Sequence, residues 1–145
     1  MQYHWLKSPT IYELKKIRVL LKQLTQKELS LSLSSLAQTT GRQDTGIILA
    51  YTPGNALAGI ATIVIVQTLT ERFAHVGDVV VNERFRGKQI AEALMGQLHD
   101  FARMEGAEFI QLTSKPHRTA ALTLYEKLGY TQPDTVYLRF PIAKP

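Results

Sequence analysis

The 145-residue chain contains no cysteine. Without thiols it can form no disulfide, no thiolate zinc site and no cysteine nucleophile, so any group transfer must proceed without a cysteinyl intermediate. Histidines and carboxylates at metal-ligand spacing are lacking as well, and we predict no metal site. The sequence also lacks internal repeats and linkers, and its length suits one core of ordinary size. We therefore predict a single domain over residues 1–145.

Long apolar runs are scarce too. The longest, Leu57 to Val66, is about half of the roughly 20 residues that a membrane-spanning helix needs, and its β-branched residues favour a buried strand. The N-terminal segment Met1 to Pro9 lacks the continuous apolar region of a secretory signal. We therefore predict a cytoplasmic protein without a membrane partner.

Negative charge is in short supply. The chain has 17 Lys and Arg against 12 Asp and Glu, a net charge of +5 at pH 7, which favours nucleic acid, a membrane surface or a polyphosphate as a partner. Because the basic residues are scattered along the chain and no recognition helix or stacking motif is present, we expect no nucleic-acid partner. The net positive charge is better explained by binding to the phosphates of a ligand.

Residue periodicity divides the chain into helices and strands. Apolar residues at helical spacing predict four helices, from about Ile11 to Gln26, from Leu29 to Gln38, from Ile90 to a stop at Gly106, and from about His117 to a stop at Gly129. Runs rich in β-branched and aromatic residues predict five strands, Thr45–Tyr51, Leu57–Leu69, Phe73–Val81, Phe109–Thr113 and Val136–Phe140. This order predicts an α/β fold with a mixed sheet covered by helices.

A basic loop opens the third predicted helix and consists of Arg86, Gly87, Lys88, Gln89, Ile90 and Ala91. Helix N-termini leave four backbone N–H groups unpaired and carry about half a positive charge, so a phosphate gains hydrogen bonds and a favourable field there. Gly87 lets the backbone approach a ligand closely, and Arg86 and Lys88 add full charges. A solvated basic turn is the alternative, because charged turns before helices are common.

Two motifs resemble those of the GNAT superfamily of N-acetyltransferases. Arg86-x-x-Gln89-x-Ala91 resembles its Arg/Gln-x-x-Gly-x-Gly/Ala phosphate loop, and Ala120 to Tyr130 is similar to its Ala-x-x-Leu-Tyr-x-Lys-x-Gly-Phe segment. Where the family usually has glycine, Gln89 keeps the backbone N–H but adds a side chain that must point away from the phosphates. The resemblance implies a GNAT-like α/β fold, a mixed and mostly antiparallel central sheet flanked by helices, with a splayed parallel strand pair at the cofactor cleft.

The resemblance implies an enzyme that moves an acetyl group from acetyl-CoA, its acyl-donor co-substrate, to a primary amine by direct attack in a ternary complex. It implies that backbone groups of Val79 and Val81 pair with the pantetheine arm and that the N–H groups of residues 86–91 hold the pyrophosphate. The Val79 N–H would face the thioester oxygen, a contact worth about 3 kcal/mol to an oxyanion. Tyr125 matches the family tyrosine that protonates the departing thiolate, with a purely structural core tyrosine as the alternative.

The general base is left open by the sequence. Relatives often have an acidic residue at the position of Gly77, and Asp78 follows it. Regular alternation along the strand predicts that Val79 and Val81 share one face with His75 and Gly77, while Asp78 points to the other. Asp78, His75 and a water molecule are therefore the alternatives.

The acceptor is left open as well. It is expected to be a small-molecule or peptide amine, but the segments expected to line its pocket, residues 24–43 and 68–74, carry no motif. A homodimer is compatible with the sequence. A non-catalytic acyl-CoA-binding regulatory module with the same fold is the alternative function, motivated by Gln89 and Gly77.

Overall fold

The computed structural model describes residues 1–143. The chain forms two compact units, Met1–Thr113 and Ser114–Pro145. The first holds a β-sheet with three helices, and the second holds one helix followed by irregular chain. The single domain expected from the chain length stays a prediction.

A five-stranded sheet forms the centre of the first unit. Its strands are β1 (Gln2–Trp5), β2 (Thr45–Tyr51), β3 (Leu57–Gln67), β4 (Arg72–Val81) and β5 (Ile110–Gln111), adjacent in that order. The first four are antiparallel neighbours, and β5 is parallel to β4. A mixed, mostly antiparallel sheet with one parallel pair confirms the predicted fold class.

Helices cover both faces of this sheet. They are α1 (Ile11–Thr25), α2 (Leu33–Thr40) and α3 (Ile90–Met104). The second unit contains α4 (Thr119–Lys127). The capping box of α1 is present, because the Thr10 hydroxyl accepts from the Glu13 N–H and the Glu13 carboxylate accepts from the Thr10 N–H. Helices α1 and α2 share a core cluster with Ile60 and Val80, whereas α3 packs on the opposite face. Across residues 1–143, each helix is too short or too polar to cross a membrane.

Strand β1 was not predicted, and the bounds of α2, β3 and β5 differ most from the predicted ones. Helix α2 begins at Leu33, four residues later than expected, because Ser32 caps it by accepting from the Ser35 N–H at 3.0 Å. Strand β3 ends at Gln67, before a turn in which Thr68 and Glu71 are hydrogen-bonded. Strand β5 is reduced to two residues of the five expected.

The strand predicted over Val136–Phe140 is wrong. This segment of the second unit forms no regular element, and its four large apolar side chains are between 68% and 85% exposed. Its β-branched and aromatic residues suit a pleated surface, but a strand forms only where its backbone groups find a ladder partner. The residue types of this segment therefore indicate a propensity for strand structure, but they do not provide the neighbouring strand that a ladder needs.

Candidate functional site

Strand β4 carries a bulge at Asp78. Gly77 pairs with Thr62 of β3, but Val80 pairs with Ile60, so β4 has one residue more than β3 between the two pairs. Asp78 adopts φ +52°, in the left-handed region that few residues other than glycine adopt. An extra residue in a strained conformation is the signature of a β-bulge, which re-aims the side chains around it.

The bulge overturns the predicted facing of the β4 side chains. Val79 and Val81 were expected on the face of His75 and Gly77, by an alternation that assumed a regular strand. The register instead places Val80 on that face, opposite Ile60, and turns Val81 to the α3 side. Local sequence carries no signal for this shift, because bulges depend on the pairing of two strands.

Asp78 also lies differently from the prediction. Its carboxylate was expected on the face opposite Gly77, yet its Oδ2 accepts a hydrogen bond of 3.1 Å from the Thr62 hydroxyl. The same hydroxyl lies 2.9 Å from the Gly77 carbonyl oxygen, which it can also reach as a donor. On this face His75 Nδ1 and the Gln111 amide are 3.4 Å apart. The two candidate bases, Asp78 and His75, are therefore on one face, and Thr62 joins them as a residue that the sequence did not indicate.

One edge of β4 is open beyond its first residues. Strand β5 pairs only with Ala74 and His75. Within residues 1–143, no strand continues this ladder alongside Val76–Val81. The predicted residues Val79 and Val81 therefore lie on a strand edge that can accept an extended ligand.

The basic loop enters α3 through two left-handed residues. Gly87 has φ +81° and Gln89, the N-cap residue, has φ +60°. The Gln89 side chain makes no capping hydrogen bond, unlike Thr10 at α1 and Ser32 at α2. The first turn of α3, with Ile90 and Ala91, thus lacks a side-chain cap, as an anion site requires.

Basic side chains surround this helix start. The Arg84 guanidinium and the Lys88 ammonium lie 5.5 and 5.7 Å from the centre of the Phe85 ring, close enough for cation–π attraction. Arg84, Arg86 and Lys88 are exposed, and none forms an ion pair with a carboxylate among the described residues. A Cβ added at Gly87 would meet no atom within 4 Å. This loop has open space at Gly87, a left-handed backbone and three cations without a carboxylate partner among the described residues. These features suit the binding of a diphosphate.

Backbone contacts fix the loop to the sheet and to α1. The Asn82 N–H donates to the Ala58 carbonyl at 2.8 Å, and the Glu83 N–H donates to the Gln23 side chain at 3.1 Å. Helix α3 packs tightly on β3 at Gly59, where an added Cβ would lie 3.0 Å from a methyl carbon of Leu94. None of these three contacts could be predicted from the sequence, since Asn82, Glu83 and Gly59 do not stand out without the fold.

Tyr125 lies in the second unit, near the end of α4, and is 9% exposed. The helix stops as predicted at Gly129, which has φ +99°. The Gly129 N–H donates to the Glu126 carbonyl. The Tyr130 N–H donates to the Tyr125 carbonyl at 2.9 Å, and the two rings pack with their centres 5.7 Å apart. This is a Schellman motif with its customary apolar contact.

Burial controls the ionisation of both tyrosines. It raises the pKa of Tyr125, and the positive charge of Arg118 offsets part of that rise. Burial, with a smaller contribution from Tyr125, raises the pKa of Tyr130 to about 12. The Tyr125 phenol therefore keeps its proton at neutral pH, the form that a general acid needs.

A metal centre is not assembled within residues 1–143, where no three His, Asp or Glu side chains lie close enough to hold an ion. The expectation that the protein needs no metal stays a prediction.

Comparisons with known proteins agree with this geometry. The model of the acetyltransferase (GNAT) family matches residues 11–130. The catalytic subunit of the N-terminal acetyltransferase B complex of Arabidopsis thaliana is 33% identical over 79 residues, 54% of this chain and 45% of that subunit. The match therefore spans about half the length of this curated relative.

Solved structures share the whole fold. An acetyltransferase from Trypanosoma brucei is 25% identical, covers 97% of this chain and 99% of its own, and superposes with a TM-score of 0.79. An aminoglycoside acetyltransferase from an uncultured soil metagenomic sample reaches 0.85 at 16% identity, over 99% of this chain and 96% of its own. At that identity the second likeness shows the fold alone.

Proposed function

The chain belongs to the acetyltransferase (GNAT) family, and from that membership we propose that it is an N-acetyltransferase that uses acetyl-CoA to acetylate a primary amine by direct attack in a ternary complex. The observation that carries this proposal is the basic loop. Two left-handed residues, Gly87 and Gln89, lead into a helix without a side-chain cap, and exposed cations surround it. Few ligands other than a diphosphate use all of these features.

The donor fits along the loop and the open edge of β4. We assign the pyrophosphate to the N–H groups of residues 86–91, with Arg84, Arg86 and Lys88 supplying charge. The pantetheine arm, which is an extended chain with amide groups, is assigned to the backbone of Val79 and Val81. This assignment is supported by the edge beyond His75, where no strand competes for those groups within residues 1–143.

Acetyl-CoA supplies an activated acetyl group. In the proposed transfer a bond forms between the amine nitrogen and the acetyl carbon, and the bond from that carbon to sulfur breaks. The nitrogen loses a proton to a base, for which Asp78, His75 and a water molecule are the candidates. The Val79 N–H stabilises the oxyanion, and Tyr125 donates a proton to the leaving thiolate. The Tyr125 phenol carries its proton at neutral pH, as a proton donor must, although burial raises its pKa and makes it a weaker acid than a free tyrosine.

The acceptor belongs to the primary amines, and three candidates follow from the proteins to which the chain is similar. The Arabidopsis thaliana relative is an N-terminal acetyltransferase subunit, which favours the α-amino group of a peptide. Two solved structures of the same fold are an aminoglycoside acetyltransferase in complex with sisomicin and a glucosamine-6-phosphate N-acetyltransferase. A peptide with a free α-amino group, sisomicin and glucosamine 6-phosphate therefore make a rational panel.

Thiol release from acetyl-CoA in the presence of each amine, with mass spectrometry of the product, tests the proposal. We expect at least one amine to gain an acetyl group while CoA thiol appears in equal amount. Binding of acetyl-CoA without release of thiol for any amine would favour the non-catalytic module with the same fold.

Tyr125→Phe tests the proposed acid. Removing the phenol proton should lower kcat by on the order of 10²-fold and change the Kd for CoA by less than about twofold. Tyr12→Phe is the matched control, because Tyr12 is 73% exposed on α1 and has no assigned role. Equal kcat values for the wild type and Tyr125→Phe would remove Tyr125 from the mechanism.

A further inference from the structure

Phe85 is the one aromatic residue among the cations that lead into α3. The cations Arg84, Arg86 and Lys88 are exposed, whereas Phe85 is half-buried. The Arg84 guanidinium lies 5.5 Å and the Lys88 ammonium 5.7 Å from the centre of the Phe85 ring. Two of the three cations at the start of α3 therefore share a contact with one ring.

The backbone of Phe85 is fixed by contacts that do not involve a ligand. Phe85 ends a single turn of 3₁₀ helix, Glu83–Phe85, and its N–H donates to the Asn82 carbonyl at 2.8 Å. The Asn82 side chain caps this turn, because its Oδ1 accepts from the Arg84 N–H at 3.1 Å. The Asn82 N–H is in turn bonded to Ala58. The turn that carries the ring is thus attached to the sheet.

The ring offsets two costs of placing these cations side by side. A long basic side chain loses conformational freedom when a ligand immobilises it, and like charges repel each other. The face of an aromatic ring attracts a cation that lies within about 6 Å of its centre. Since no carboxylate among residues 1–143 pairs with Arg84 or Lys88, the ring orients two cations whose charge stays available to an anion.

We infer, on the basis of the proposed function, that Phe85 is a positioning residue for the binding of the acetyl-CoA phosphates. Its ring holds Arg84 and Lys88 at the start of α3 before the ligand arrives, and both cations keep this contact in the complex. Binding then immobilises fewer side-chain bonds, and the affinity for acetyl-CoA is higher than the same cations would give without the ring. A ring that stacks on the adenine, or one that only supports the loop, would act differently and can be distinguished by experiment.

Three replacements of Phe85 test this inference by calorimetry with acetyl-CoA. Phe85→Leu keeps an apolar side chain without the ring and should raise the Kd about fivefold, because Arg84 and Lys88 must then be immobilised on binding. Phe85→Tyr keeps the ring face and should leave the Kd within about twofold. Replacement of Phe85 by pentafluorophenylalanine keeps the shape of the ring but reverses the charge distribution of its face, so the Kd should rise as in Phe85→Leu. This last variant keeps the test decisive if Phe85→Leu does not fold.

A charge-depleted background separates the positioning of cations from the other two roles. The double variant Arg84→Gln, Lys88→Gln should bind acetyl-CoA about tenfold more weakly than the wild type. In this background the ring has no cation to hold, so the further change Phe85→Leu should alter the Kd by less than about twofold. A ring that stacks on the adenine, or that supports the backbone of the loop, would instead give the same fold-change in both backgrounds.

Failure of this inference can be told apart from failure of the proposed function. If the wild type binds acetyl-CoA, an unchanged or lower Kd in the pentafluorophenylalanine variant would overturn the role of Phe85 and leave the proposed function intact. Equal weakening by Phe85→Leu in both backgrounds would do the same. Absence of acetyl-CoA binding by the wild type would overturn the proposed function and this inference together.

Discussion

At the residue scale, backbone conformation distinguishes two positions of the candidate site more clearly than residue type does. Among the residues described, Gln26, Asn55, Asp78 and Gln89 are the non-glycine residues with positive φ. Asn55 lies in the β2–β3 turn, and Gln26 ends α1. Asp78 forms the bulge of β4 next to Val79, and Gln89 lies in the basic loop. Strain that turns and helix ends do not require is therefore found at the two segments proposed to bind acetyl-CoA.

Gln89→Gly should raise the free energy of unfolding by about 0.5–1 kcal/mol. The left-handed conformation costs a residue with a Cβ about 1–2 kcal/mol, and the greater freedom of glycine in the unfolded chain offsets part of the gain. Acetyl-CoA affinity should stay within about twofold, because the backbone N–H is kept. Urea denaturation and calorimetry measure the two quantities.

Gln26→Gly is the matched control for this substitution. Gln26 has φ +61°, almost the same as Gln89, but it lies at the C-terminal end of α1. We expect a similar or smaller gain in stability, since its side chain also donates to the Gln23 carbonyl. A loss of stability in Gln89→Gly would contradict the left-handed conformation assigned to this position.

Ionisation of Tyr130 should lower the free energy of unfolding at alkaline pH. Its pKa is about 12 in the folded chain and about 10 when unfolded, so its contribution is fully present below pH 10 and is lost as the pH rises towards 12. Tyr130→Phe should therefore reduce the alkaline fall in unfolding free energy by about 1–2 kcal/mol. Urea unfolding at pH 8, 10 and 11 measures this fall in unfolding free energy, with Tyr12→Phe as the exposed control. Equal pH slopes for the two variants would contradict burial of Tyr130.

At the element scale, the packing of α3 on β3 positions the basic loop. Gly59 lacks a Cβ where Ile90 and Leu94 approach the sheet, so the first turns of the helix lie directly on the strand. The loop that precedes the helix is fixed to Ala58 and Gln23 by backbone donors. The N-terminus of α3 is therefore held by contacts that do not involve the ligand.

Gly59→Ala should destabilise the protein by about 1–3 kcal/mol, the usual cost of overpacking a filled site. The new methyl group would lie 3.0 Å from a Leu94 carbon and 3.2 Å from an Ile90 carbon, which should displace α3 and weaken acetyl-CoA binding. Gly77→Ala is the control for stability, because its Cβ would meet only Thr62 at an ordinary 3.5 Å. Equal stabilities of the two variants would show that α3 does not need the close approach.

Sequence patterns predicted the elements better than their pairing. The capping box at Thr10, the edges of β2 and the stop at Gly129 could be assigned because each depends on neighbouring residues. The bulge at Asp78 could not, since it arises from a register shift between β3 and β4. The strand predicted over Val136–Phe140 was wrong for a related reason, because β-branched and aromatic residues do not by themselves specify a ladder partner. Site residues could therefore be predicted where a motif carries them, whereas the bulge, which depends on strand pairing, could not.

At the scale of the whole molecule, the net charge of +5 matches an anionic donor. Three of the cations, Arg84, Arg86 and Lys88, lie within five residues at the start of α3. Others lie along α1, where Arg18 donates to the Leu31 carbonyl and Lys22 pairs with Glu28. These two α1 cations thus contact the chain that follows α1, whereas no carboxylate among the described residues pairs with the three loop cations. A cytoplasmic location, a homodimer and the lack of a nucleic-acid partner stay predictions.

The affinity of acetyl-CoA for a charge-depleted loop tests the central claim most directly. Calorimetry on the double variant Arg86→Gln, Lys88→Gln should give a Kd about tenfold higher than that of the wild type, as two exposed charge contacts of up to about 1 kcal/mol each allow. Lys7→Gln with Lys15→Gln removes the same charge elsewhere and should change the Kd by less than about twofold. Equal weakening in both double variants, or no weakening in either, would contradict the basic loop as the acetyl-CoA site.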